Sequence, residues 1–346
     1  MKPGLSIILT VSIAVMLTAG CSGGKGGAKQ ETAAAPVENK AEPVVGNETS
    51  LFLKDLEDAG DYVNSQQYPS LIKAALVNDP KGAKILVVDL RSREDFASGH
   101  IKGAINKKFE ELPAWLETGI KPFSFDKIIL VCNDGQLSSY TASLLRLKGY
   151  GNVFAMRWGM SAWNKKFAEK NWLSGLSGKY EANLDTVTHS KPAATSMPVL
   201  KTGLTTGKEI SDARFAKVFS EGTGGVFITA DEVFSDPSKY FVINLERKDK
   251  YNDGHIPGAV RYKPDATLGV VDEMATIPVD KTVVVYCGTG HNSAFATAYL
   301  RLFGYDARTL KYGNNSFMHE RMKEKKEALS WLPFSEADVN DFLFVK

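Results

Sequence analysis

The chain has few cysteines, little net charge and only one long apolar run. Each of these features excludes some classes of protein. Three cysteines in 346 residues are too few for a disulfide-bonded scaffold. A formal net charge of +2 at pH 7 gives no electrostatic attraction for a polyanion, so we expect no nucleic-acid partner. An apolar content of 43% is typical of globular proteins, and the length suffices for about two domains.

The apolar run lies near the N-terminus, over residues 5–17, and follows a short start that carries Lys2. It is shorter than the roughly 20 residues that a transmembrane helix needs, so it indicates a signal peptide over residues 1–20. The small residues before Cys21 resemble a bacterial lipobox. That resemblance implies cleavage before Cys21 and a lipid on its thiol, which would anchor the protein to a bacterial membrane, facing the periplasm or the exterior. The alternatives are an ordinary secretory signal with a chance cysteine and an uncleaved anchor.

Two polar stretches divide the rest of the chain. Residues 21–50 are rich in Gly, Ala, Lys, Glu and Pro and cannot bury a core, which predicts a flexible tether after the lipidated cysteine. Residues 176–206 are again polar and predict a linker between a first domain at 51–175 and a second domain at 207–346. In each domain apolar strands alternate with helical patterns, which is typical of a parallel sheet covered by helices on both faces.

The two predicted domains repeat one another with an offset of 155 residues. The offset is the same for His100 and His255, for Cys132 and Cys287, and for Gly149 and Gly304. So many matches in one register indicate a duplicated domain.

Each domain places a cysteine directly after an apolar strand and before a glycine-containing loop that leads into a helix. A helix N-terminus and loop N–H groups stabilise a thiolate, and the thiolate is the nucleophilic form of cysteine. Both cysteines are therefore candidate catalytic residues, although a lone cysteine after a strand is more often a small buried apolar residue. The two candidate sites are Cys132 with the loop Asn133, Asp134, Gly135, Gln136, Leu137 and Ser138, and Cys287 with the loop Gly288, Thr289, Gly290, His291, Asn292 and Ser293.

Residues 89–104 and their copy at 244–259 resemble the first signature of rhodanese-like domains, and Gly159 with Trp163 matches the family's Gly-x-x-x-Trp motif. The resemblance implies an α/β fold with two three-layer αβα domains, each built on a mostly parallel five-stranded central sheet. It also implies a sulfurtransferase that moves sulfane sulfur through a cysteine persulfide, without a cofactor. The expected partners are small sulfur compounds (thiosulfate, polysulfide or a protein persulfide as donor) and a thiol acceptor protein.

Both loops depart from the family at one position. The arginine that usually follows the cysteine by five residues is replaced by Leu137 in the first loop and by Asn292 in the second. A guanidinium binds oxyanions through bidentate hydrogen bonds. Without this arginine, we expect both loops to lack the group that would hold an anionic sulfur donor. This departure leaves a second hypothesis open, a catalytically degenerate rhodanese-like module that serves for binding or as a scaffold.

The charges of the two loops favour Cys287 as the nucleophile. Asp134 would oppose a thiolate at Cys132, whereas the second loop contains no acid. His291 either supplies a partial positive charge there or is a solvated loop residue.

Other polar residues of the two signatures are predicted to be structural. Asp89 and Arg91 are expected to form a buried bond, and His100 and His255 to hold a strand–loop connection by hydrogen bonds. We predict no metal site, because neither cysteine has a second cysteine or a histidine at ligand spacing.

Overall fold

The computed structural model describes residues 43–264, 268–269 and 271–346. The predicted signal peptide, the lipidation site Cys21 and most of the predicted tether lie outside these residues. Among the residues described, no helix combines the length and the apolarity needed to cross a membrane.

Each domain contains a five-stranded sheet in which all strand pairs are parallel. The first sheet consists of β1 (Leu71–Ile72), β2 (Ile85–Asp89), β3 (Ile105–Asn106), β4 (Lys127–Val131) and β5 (Val153–Met156), in the spatial order β1-β5-β4-β2-β3. The second consists of β6 (Phe227–Ile228), β7 (Tyr240–Asn244), β8 (Val260–Arg261), β9 (Thr282–Tyr286) and β10 (Ala307–Leu310), in the equivalent order β6-β10-β9-β7-β8. The central strands are buried on both faces, which explains their continuous apolar sequence. The predicted α/β class with two parallel sheets is confirmed.

Helices precede and follow these strands. They are α1 (Asn47–Asp58), α2 (Ala74–Asn78), α3 (Arg93–Ser98), α4 (Leu112–Ala114), α5 (Gln136–Leu147), α6 (Lys165–Ala168), α7 (Trp172–Gly175), α8 (Gly207–Ser220), α9 (Ala230–Ser235), α10 (Lys248–Asp253), α11 (Val271–Met274), α12 (His291–Leu302), α13 (His319–Glu324) and α14 (Lys326–Leu329). Thr229 and Glu232 form a capping box at the N-terminus of α9. Their side chains accept hydrogen bonds from N–H groups that have no partner within the helix, which favours the start of the helix at this point.

The helices that follow the two cysteine loops, α5 and α12, pack against each other. Ser143 Oγ on α5 donates a hydrogen bond to the carbonyl of Phe295 on α12 (3.0 Å). Ala294 and Ala298 on α12 are fully buried. One buried apolar core extends through both domains, so each cysteine loop lies near the partner domain.

Two segments outside the sheets complete the domains. Residues 341–345, the C-terminal strap, run along the first domain, where His100 and Val345 form an antiparallel bridge and Trp163 Nε1 donates to the carbonyl of Leu343 (2.9 Å). Residues 185–189, the linker strap, lie on the second domain, where Asp185 and His255 form the corresponding bridge. Each domain's first signature is thus joined to a segment distant in the chain.

Candidate functional site

The first cysteine loop closes around its sulfur atom. Cys132, at the end of β4, is 3% exposed, and its Sγ accepts hydrogen bonds from the N–H groups of Gly135 (3.1 Å) and Ser138 (3.4 Å). The thiol donates to Asp134 Oδ1 (3.4 Å). Burial, together with the charge of Asp134, raises the pKa of Cys132 to about 12. The predicted cradle of amides is present, and the predicted opposition from Asp134 is confirmed, so the thiol stays protonated at neutral pH.

The second cysteine lines a cavity. Cys287 follows β9 and is 4% exposed, and its Sγ lies 3.7 Å from Ser293 Oγ. The cavity measures about 230 Å³ and is lined by Arg157, Leu245, Glu246, Arg247, Lys250, Pro264, Cys287, Gly288, Thr289, Asn292, Trp331 and Leu332. A cavity of the same size beside the first loop is lined by Asn133 but not by Cys132. Of the two cysteines, Cys287 therefore lines a cavity that could hold a small substrate, whereas Cys132 does not line the cavity beside its loop.

Three cations line the Cys287 cavity, although the loop itself carries none. Arg247 is paired with Asp249 (2.6 Å), and Lys250 Nζ lies 3.4 Å from Glu246. Arg157 comes from the first domain, directly after β5, and its guanidinium has no carboxylate within 4.0 Å among the residues described. The loops lack a cation, as their sequences indicate, but Arg157 brings one to the lining of the Cys287 cavity from the other domain.

Glu246 is an acid at Cys287 that the loop sequence does not reveal. It stands where the first domain has Arg91, whose side chain forms the predicted buried pair with Asp89 (2.6 Å). In the second domain Glu246 turns towards the loop and accepts a hydrogen bond from the Gly288 N–H. Burial first, and then the charge of Glu246, raise the pKa of the Cys287 thiol, and burial raises the pKa of Glu246. The loop itself contains no acid, as its sequence shows, but the charge of Glu246 opposes a thiolate at Cys287 from outside the loop.

Gln136 and His291, which are equivalent in the repeat, cross from one domain into the other. The Gln136 amide donates to the carbonyl of Leu310 (3.1 Å) and accepts from the N–H of Tyr312 (2.8 Å). His291 Nε2 accepts from the N–H of Trp158 (3.2 Å). Each domain thereby satisfies a backbone donor at the end of the other domain's last strand.

The glycine before each helix makes room for the crossing side chain. Gly135 and Gly290 have φ values of 87° and 76°, a region that side-chain-bearing residues rarely adopt. A Cβ atom at Gly135 would lie 2.5 Å from His291 Nε2, and one at Gly290 would lie 2.1 Å from Gln136 Nε2. Both loop glycines are therefore required by the interface as well as by the turn.

His291 is neither solvated nor charged, so both sequence-based interpretations of it are wrong. Its ring is fully buried and packs on Trp158 and Trp172, with ring centroids 5.0 and 5.9 Å away. Burial, and after it the charge of Arg157, lower the pKa of His291 to about 3. Since Nε2 accepts a hydrogen bond, the ring hydrogen lies on Nδ1, which donates to Thr289 Oγ1 (2.9 Å).

The remaining loop residues support these arrangements. Asn133 Nδ2 lies 3.4 Å from Asp95 Oδ2, Leu137 packs against the shared core, Ser293 Oγ lies 2.7 Å from Thr309 Oγ1, and the Asn292 carbonyl accepts from the Tyr68 hydroxyl (2.9 Å). The predicted role of the two signature histidines is confirmed, because Nδ1 of His100 and of His255 lies 3.0 and 2.8 Å from the carbonyl four residues earlier.

The model of the rhodanese-like domain matches the chain twice, over residues 73–166 and 230–320. Together these matches span more than half of the chain. The chain belongs to the rhodanese-like family. Each match covers four of the five strands of one parallel sheet, so the resemblance seen in the sequence is confirmed.

Named relatives match single portions of this rhodanese-like chain. It is 30% identical to the tRNA uridine(34) hydroxylase of Acaryochloris marina over 116 residues, which are 33% of this chain and 35% of that protein. It is 34% identical to the tRNA sulfurtransferase of Pyrobaculum aerophilum over 85 residues, 25% of this chain and 17% of that protein. The chain thus spans about a third of the length of the first relative and less of the second.

A solved structure described as a probable thiosulfate sulfurtransferase is 21% identical to the chain, covering 71% of this chain and 96% of its own, with a TM-score of 0.27. At the level of the family, the two rhodanese-like matches and the named relatives support chemistry of the sulfur-transfer type.

Proposed function

We propose that the protein is a sulfurtransferase that carries sulfane sulfur as a persulfide on Cys287. The cavity at Cys287 is the observation that supports this most. It brings together the sulfur atom, the backbone of the loop and the cation Arg157. A cation close to the nucleophile favours an anionic donor such as thiosulfate or polysulfide and the persulfide anion that forms from it.

The transfer needs only protein groups and the two substrates. Glu246 takes the proton of the Cys287 thiol, a role that its raised pKa favours. The thiolate then attacks the outer sulfur of thiosulfate, the S–S bond of the donor breaks, and sulfite leaves with the bonding electron pair. In the second step the thiolate of an acceptor attacks the outer sulfur of the Cys287 persulfide, and Cys287 is released as a thiolate.

The first domain supports the second and does not carry sulfur itself. Cys132 is enclosed by the amides of its own loop, and it does not line the cavity beside that loop. Arg157, which follows the last strand of the first domain, is the part of that domain that contacts the substrate in this proposal.

Mass spectrometry of the full chain after exposure to thiosulfate, and separately to polysulfide, tests the proposal. We expect a mass gain of one sulfur atom on the peptide that contains Cys287, reversed by a small thiol. The Cys132→Ser variant should keep the adduct and the Cys287→Ser variant should lose it. No adduct on either cysteine would instead support a binding or scaffold module, and an adduct confined to Cys132 would reverse the assignment.

We also propose that the protein acts in the bacterial cell envelope, anchored by a lipid on Cys21. This proposal rests on the residues before Cys21, since an apolar run followed by small residues and a cysteine is the pattern of a lipoprotein signal. The Cys21→Ser variant should move from the detergent phase to the aqueous phase when cell extracts are partitioned. An unchanged distribution of the variant would contradict lipidation at Cys21.

A further inference from the structure

Three side chains from two segments of the chain meet beside the second signature. Asp185 and His189 lie in the linker strap, and His255 follows α10. One carboxylate oxygen and two imidazole nitrogens of these residues lie within 4.8 Å of one another. His189 Nε2 is 2.6 Å from Asp185 Oδ2, and His255 Nε2 is 4.0 Å from the same oxygen.

The buried ring of His255 has oxygen atoms on both of its nitrogen sides. Nδ1 lies 2.8 Å from the carbonyl of Tyr251, and a carbonyl can only accept, so Nδ1 carries the hydrogen. The lone pair on Nε2 then faces the carbonyl of Val187 at 3.1 Å and the carboxylate of Asp185 at 4.0 Å. Lone pairs that converge in a buried place are unfavourable unless a cation lies among them.

We propose that Asp185, His189 and His255 bind a divalent transition-metal ion, Zn²⁺ foremost, with the Val187 carbonyl or a water molecule as fourth ligand. Zn²⁺ takes neutral imidazole nitrogen and carboxylate oxygen in tetrahedral sites. A histidine that ligates a metal through one nitrogen usually donates the other N–H to a backbone carbonyl or a carboxylate, which is the arrangement of His255 and Tyr251.

The distances suit such a site after small side-chain movements. Ligand atoms about 2.0–2.1 Å from a tetrahedral ion are about 3.3 Å apart, and the distances of 2.6 and 4.0 Å from Asp185 Oδ2 to the two histidine nitrogens lie on either side of that value. The His189 side chain is 35% exposed, so the ion can enter from solvent. Asp185 is already fixed, because its Oδ1 accepts from the Val187 N–H (2.7 Å).

The site is specific to the second domain. His100 in the first domain makes the same Nδ1 contact with a carbonyl, but the strap opposite it presents Val345, which has no ligating side chain. A bound ion would therefore tie the linker strap to the second domain, in addition to the bridge, the hydrogen bonds and the contact of the His189 and His255 rings that join them otherwise. His100 also provides a matched control.

Titration calorimetry with ZnCl₂ and visible spectroscopy with Co²⁺ test the site on the full chain in detergent, without an affinity tag. We expect one equivalent of Zn²⁺ to bind and the Co²⁺ complex to absorb as a tetrahedral centre. The His189→Ala and Asp185→Asn variants should each bind Zn²⁺ at least about tenfold more weakly, while His100→Ala should bind as the parent does.

Circular dichroism of the metal-free variants shows whether they are folded, and His189 and Asp185 are chosen because neither side chain is fully buried. Absence of Zn²⁺ binding to the parent chain would overturn the proposal. Zn²⁺ binding by His189→Ala and Asp185→Asn that is as tight as in the parent chain would also overturn it. Loss of binding in Cys132→Ser or Cys287→Ser would do the same, by placing the ion on sulfur.

Discussion

The two cysteine loops share a fold and a helix but differ in what reaches the sulfur from outside the loop. Cys132 is held by its own amides and by Asp134, two residues away. Cys287 instead faces a cavity to which Glu246 and Arg157 contribute from another strand end and another domain. The difference shows that a duplicated loop keeps its backbone while its reactivity is decided by distant side chains.

The crossing residues show the same principle at the interface. Gln136 and His291 occupy equivalent positions and accept equivalent backbone hydrogen bonds, from Tyr312 and from Trp158. An amide cannot gain a proton in the ordinary pH range, whereas an imidazole can. Only the second domain's crossing residue therefore makes the interface sensitive to acid.

Replacing His291 by glutamine, the residue of the first domain, should have the largest effect. The unfolded chain binds a proton at His291 below pH about 6.5, and the folded chain does so only near 3, so the parent loses stability as the pH falls between these values. A shift of this size corresponds to about 4 to 5 kcal/mol. Urea unfolding from pH 7 to pH 3 should show a smaller loss in His291→Gln. Parallel curves for parent and variant would contradict a neutral, buried His291.

Removing Arg157, the cation that the first domain contributes to the Cys287 cavity, should show whether the first domain takes part in binding the sulfur donor. A charge-assisted hydrogen bond contributes about 1.5–3 kcal/mol, so Arg157→Ala should raise KM for thiosulfate about 10- to 100-fold. The control is Lys311→Ala, because Arg157 and Lys311 follow equivalent strands and donate equivalent backbone hydrogen bonds, both of 2.9 Å, to Ile72 and Ile228. Steady-state release of sulfite measures both variants, and equal effects would show that Arg157 has no special part in donor binding.

Replacing each of the two acids near the cysteines, Glu246 and Asp134, by its amide should sharpen the comparison of the two thiols. Because the charge of Glu246 adds to burial in raising the pKa of Cys287, Glu246→Gln should increase the rate at which iodoacetamide alkylates Cys287 at pH 7. Asp134→Asn should likewise increase alkylation of Cys132, because the charge of Asp134 adds to burial in raising the pKa of that thiol. An unchanged rate at Cys287 would mean that Glu246 is uncharged at this pH.

The strands and the repeat could be predicted because they are local. Continuous apolar runs, glycines after helices and a constant offset are visible in the sequence, and both sheets follow from them. The surroundings of Cys287 could not be predicted, because Arg157 precedes it by 130 residues and belongs to the other domain. The burial of His291 could not be predicted for the same reason. The sequence of a glycine-rich loop does not show which residues of the other domain will cover a polar side chain.

The C-terminal strap determines which of the two domains can complete its fold first during synthesis. Val345 is synthesised 245 residues after His100, its bridge partner, which at about 5–20 residues per second is a delay of roughly 12 to 50 s. During that time the first domain lacks the backbone carbonyl that receives Trp163 Nε1 and the ring of Phe344 that packs on Phe167. The half of the protein that leaves the ribosome first is therefore the last to be completed.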